Sequence, residues 1–128
     1  MRYILLLLPL LFLSCKGEDR HLDIYFMKEN SLTSFSTPCF MVNPPSNGSQ
    51  KVEIADEEFV QNFALLFNKL KDSKETRGIN TRIRILYHHG VETDTICMGS
   101  YFTIFVNGQL KEDSPAFLKY IKDRIYRK

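Results

Sequence analysis

The sequence predicts an α+β fold: an antiparallel β-meander of about four strands with two helices packed on one face. Three observations carry this reading. Residues 56–70 place apolar side chains at helical spacing, and a second such stripe begins at Ser114. Between them, 82–87, 91–98 and 101–106 are short β-rich runs separated by turn residues. Asn107-Gly108 is the strongest short hairpin signal in the chain. Strands grouped between helices, rather than alternating with them, favour α+β over α/β.

Taken in order, residues 22–28 alternate as a strand, with Leu22, Ile24 and Phe26 on one face. Residues 29–50 are rich in Ser, Thr, Asn and Pro, and Pro38, Pro44 and Pro45 preclude regular pairing over much of them. Phe35, Cys39, Phe40, Met41 and Val42 interrupt that stretch, so part of the loop is expected to pack down. A short strand is expected at 51–54. Asp56 caps the first helix, Glu57 and Glu58 sit in its electropositive first turn, and Phe59, Phe63, Leu66, Phe67 and Leu70 form its apolar stripe. Residues 72–80 read as a polar connector. The strands that follow are joined by turns at His88-His89-Gly90 and Gly99-Ser100, and Asn107-Gly108 sends 109–111 back as the fourth strand. The last helix has Ser114 as its cap, Pro115 at its first position, and Phe117, Leu118, Ile121 and Ile125 as its buried stripe.

Turn lengths suggest a register. A three-residue turn after Tyr87 and a two-residue turn at Gly99-Ser100 put Ile83, Ile85, Tyr87, Val91, Thr93, Thr95, Cys97, Phe102, Ile104 and Val106 beneath the helices. Arg84 then faces Asp94, a favourable cross-strand pair. The opposite face carries an apolar stripe, Leu86, Ile96, Met98, Tyr101, Phe105 and Leu110, rimmed by Arg82, Arg84 and Glu92. Unless the 29–50 loop or the N-terminal strand covers it, this stripe is a candidate interaction face, because monomers rarely leave such patches open.

The first residues carry a different message. Arg2 precedes an apolar run at 3–13 that is too short to cross a bilayer as a helix, and Leu13-Ser14-Cys15 gives way abruptly to Lys16-Gly17-Glu18-Asp19-Arg20. This resembles the signal and lipobox of bacterial lipoproteins, with Phe12 where that family usually has Leu. The resemblance covers only the first fifteen residues or so. It implies a signal peptide at 1–14, cleavage between Ser14 and Cys15, lipidation of Cys15 with palmitate-type chains and a tether at 15–21, while the length that remains suits one domain at 22–128. It also implies anchoring in the bacterial cell envelope. The outer membrane is the first expectation, with the periplasmic or surface side left open.

Charge and chemistry narrow the function. Lys and Arg number 17 against 15 Asp and Glu, so no global drive toward nucleic acid exists. Basic residues do cluster locally around 69–84 and 119–128, where a solvated face or contact with anionic headgroups would use them. Of three cysteines, Cys15 is assigned to lipid, which leaves Cys39 and Cys97 as a candidate disulfide worth about 4 kcal/mol by loop entropy; two unpaired buried thiols are the alternative. No CxxC, G-x-S-x-G or glycine-rich phosphate loop is present. His88 and His89 are adjacent, but in a strand they point to opposite faces, and no third metal ligand is evident because His21 reads as tether. No metal site, cofactor or catalytic residue is therefore expected. Asn47-Gly48-Ser49 matches a glycosylation sequon and Asp94-Thr95-Ile96 a short O-glycosylation motif; neither carries weight here.

The expectation is a small lipid-anchored envelope protein that acts by binding, with the membrane and an envelope protein as partners. An inhibitor or immunity-type protein working through the 35–50 loop is the alternative, and a small hydrolase a more distant one.

Overall fold

Among the described residues, local signals and long-range pairing combine in a six-stranded antiparallel sheet with two α-helices on one face. The computed structural model describes residues 19–29, 36–42 and 48–126. The strands are β1 (Arg20–Phe26), β2 (Gln50–Ile54), β3 (Ile83–His89), β4 (Glu92–Met98), β5 (Ile104–Val106) and β6 (Gln109–Leu110); the helices are α1 (Glu57–Phe67) and α2 (Pro115–Ile125). The sheet order is β2-β1-β3-β4-β5-β6. The expected four-strand meander is β3 to β6. The first two strands extend it, with β1 inserted beside β3 along all seven of its residues.

Both helices start where the sequence puts caps. The Asp56 carboxylate accepts from the Phe59 N–H, and the Ser114 hydroxyl accepts from the Phe117 N–H. Their stripes meet the sheet in one core. Phe63 packs its ring against Phe67, Tyr87 and Phe117, and Leu22, Ile24, Ile83, Ile85, Ile96, Met98, Ile104 and Ile121 have no exposed surface. The Tyr120 hydroxyl donates to the Phe59 carbonyl and ties α2 to α1.

The register departs from the expected one. His89 pairs with Glu92, so the turn is the two residues Gly90-Val91, with Gly90 at φ 60° in the first central position, where a II′ turn takes glycine. His88 and His89 thus belong to β3 rather than to a turn. Arg84 lies across from Cys97, and Asp94 across from Tyr87. The shift is odd, so β4 exchanges faces: Ile96 and Met98 go under the helices, and Thr93, Thr95 and Cys97 turn outward. Magnitudes explain the outcome. Fully burying Ile96 and Met98 contributes about 1.5–3 kcal/mol each. A surface pair of Arg84 with Asp94 contributes about 0.2–1 kcal/mol. The connection from β4 to β5 is also longer than two residues: Met98 pairs with Ile104, and Tyr101 and Phe102 are left exposed in between.

A disulfide-pinned groove as candidate functional site

The helix-free face of the sheet is partly covered by residues 36–42. Pro38 leads into a single 3-10 turn, Cys39–Met41. The Thr37 N–H donates to Asn80 Oδ1 at 2.8 Å, the Thr37 carbonyl accepts from the Thr81 N–H at 2.8 Å, and Val42 is fully buried. Because β4 turns Cys97 outward, its thiol meets Cys39, and the two form a disulfide with Cα atoms 5.7 Å apart. The segment is therefore clamped at both sheet and connector.

Phe40 follows the bridged cysteine and projects into solvent, 72% exposed. Beside it runs a groove of about 520 Å³ lined by Cys39, Phe40, Ile79, Arg84, Thr95, Cys97, Phe105, Asn107 and Gly108. The rim at Asn107-Gly108 is set by the hairpin, where both residues have positive φ, 51° and 82°. The Asn107 side chain accepts from the Thr95 N–H at 2.9 Å and donates to Asp94 at 2.8 Å. Asp94 also pairs with His89 at 2.7 Å. Partial burial of Asp94 pushes its pKa up, but the hydrogen bonds from Asn107 and His89, with the charge on His89, outweigh it and hold the carboxyl below its ordinary value.

Of the face expected from sequence, Arg84 and Phe105 line this groove, and half-buried Leu86 shares their side of the sheet. The Arg84 guanidinium lies 5.2 Å from the centre of the Tyr25 ring. Leu110 pairs with Phe105 but is buried. Ile96 and Met98 do not belong to the face, having gone into the core. Arg82 is buried and hydrogen-bonds Met27 Sδ, and Tyr101 sits in the exposed β4–β5 connection, outside the groove lining. Thr95, expected inward, faces the groove. Ser14, Cys15 and the 43–47 turn cluster lie outside the described residues. Sequence reasoning places Phe40 in the 35–50 loop without marking it as exposed, and it does not single out Ile79. Their only signal is a large apolar residue inside an otherwise polar stretch, next to a paired cysteine in one case.

Around this groove the polar side chains are Arg84, Thr95 and Asn107, with no nucleophile–base pair among them. The arrangement suits contact with an apolar side chain beside a polar or anionic group. No protein-family model, curated protein or solved structure matches the chain. Among the described residues no helix is long and apolar enough to cross a membrane.

Proposed function

We propose that this chain is a small lipid-anchored protein of the bacterial cell envelope that acts by binding a protein partner, with the groove between Phe40 and Phe105 as the contact surface. One observation carries the reading: Phe40, next to the Cys39–Cys97 bridge, keeps 72% of its surface exposed beside an apolar groove. Covering such a ring on a binding partner would contribute about 1.5–3 kcal/mol. The lipobox-like Leu13-Ser14-Cys15 supports the anchor. β1 begins at Arg20, so the tether from Cys15 reaches at most roughly 18 Å and keeps the domain next to the membrane.

A second reading, the inhibitor or immunity-type protein, is favoured by the same segment: an exposed aromatic on a disulfide-held loop is what a loop-borne inhibitor presents. The two readings share the surface and differ in what the partner does when bound.

The test is a pair of alanine variants. Phe40→Ala should change stability by no more than about 0.5 kcal/mol, as exposed substitutions do, and should weaken capture of the partner from solubilised envelope. Phe105→Ala should weaken the same capture. Unchanged capture in both variants would overturn the proposal. Loss of a partner's enzymatic activity on binding would select the inhibitor reading.

A further inference from the structure

At the other end of the same outer face, β1 and β3 bring three chemistry-bearing side chains together. β1 begins at Arg20, so His21 is a strand residue and not tether. It stands directly across from His88, and Asp23, two residues on, points to the same side. His21, Asp23 and His88 each offer one ligand atom, and these atoms all lie within 4.8 Å of one another. The imidazole rings of His21 and His88 stack with centroids 4.4 Å apart. His88 Nε2 is 2.9 Å from Asp23 Oδ2, and His88 Nδ1 is 3.0 Å from Thr93 Oγ1.

We propose that His21, Asp23 and His88 form a binding site for a divalent transition-metal ion of the zinc class, with its remaining positions open to water. The donor set decides the class. Two imidazoles and one carboxylate suit zinc and its neighbours, whereas magnesium and calcium select all-oxygen shells. The His88–Asp23 contact is what such a site looks like when a proton occupies the metal's place: Nε2–H points at the carboxylate that would share the ion. Metal binding moves that proton off Nε2, so Nδ1 must then carry the ring proton. Thr93 permits the change, because its hydroxyl can donate to Nδ1 in one tautomer and accept from it in the other. The three residues sit on paired strands, which fixes their backbones. Ligand atoms around zinc lie about 3.3 Å apart, so closure requires the three side chains, His21 of the ring stack included, to draw together. His88 and Asp23 keep 28% and 14% of their side-chain surface exposed, enough for an ion to enter. Lys51 Nζ lies 4.0 Å from Asp23 Oδ1, the oxygen facing away from His88, and competes for the carboxylate. Glu53, across from Asp23 on β2, adds negative charge nearby. This site is independent of the groove.

The experiment is equilibrium dialysis of the full-length chain in detergent against zinc chloride, with folding checked by circular dichroism and every variant made in the same background so that Cys15 contributes equally. One zinc per chain should bind. Asp23→Asn and His88→Gln should each lose it, while His89→Gln, on the opposite face, should retain it. Lys51→Met should tighten binding by about two-fold or more. Absence of uptake by the parent chain, or uptake unaltered in folded Asp23→Asn and His88→Gln, would overturn the proposal.

Discussion

Ile85 on β3 stands directly across from Ile96 on β4, and neither has any exposed surface. This pair fixes the register of the central sheet, because a one-residue slip would put Ile96 on the outer face and Thr95 in the core. Ile96→Ala should therefore destabilise the domain by about 2–5 kcal/mol in urea unfolding. Thr95→Ala, on the groove side, should cost far less. Equal small effects would mean that β4 is registered otherwise.

The Cys39–Cys97 bridge spans a sequence separation of 58. Loop entropy gives its removal a cost of about 4 kcal/mol. Cys39→Ala with Cys97→Ala should lower the melting temperature accordingly and release residues 36–42, so that proteolysis near Phe40 accelerates. Non-reduced peptide mapping should show the two cysteines linked, and finding both as free thiols would refute the bridge.

Asp94 makes stability depend on acid. Its carboxyl is held below the ordinary value by Asn107 and His89 against the opposing effect of burial. A depressed carboxyl contributes stability that is fully present above the unfolded-state value of about 3.9 and is lost as pH falls through the lower folded value. Asp94→Asn should be less stable than the parent near neutrality, and the gap should close as the pH approaches about 2. Urea midpoints measured across that range test this; a gap that does not narrow would show that Asp94 acts by something other than its charge.

Lipid attachment has its own test. Cys15→Ala should abolish palmitate labelling and signal processing, and the protein should no longer fractionate with membranes. Labelling that persists in the variant would refute the lipobox reading.

What could be read from the sequence follows the range of the forces involved. The caps at Asp56 and Ser114 and the Asn107-Gly108 hairpin are local, and they stand where the sequence places them. The pairing of Cys39 with Cys97 is legible as a candidate once the lipobox resemblance sets Cys15 aside, with two unpaired thiols as the alternative, and the structure shows the bridge. The β3–β4 register was not legible. Ile96, Cys97 and Met98 are three consecutive apolar residues, so alternation does not say which face is buried, and the length and place of the turn between Tyr87 and Glu92 decide it. The place of β1 was hidden for a different reason: its partners are set by contacts across the long 29–50 connection. His21 was lost with it, and so was its meeting with Asp23 and His88. Phe40 was noticed only as an interruption in a polar loop, because exposure is a property of the folded surface.

The most direct test of the binding account is photo-cross-linking in intact cells. A photoreactive phenylalanine analogue at position 40 should give a discrete adduct with an envelope protein, and the adduct should disappear when Phe105 is replaced by alanine. The same analogue at Leu65, exposed on α1 on the other side of the sheet, should give none. No adduct from position 40, or the same adduct from both positions, would contradict the account.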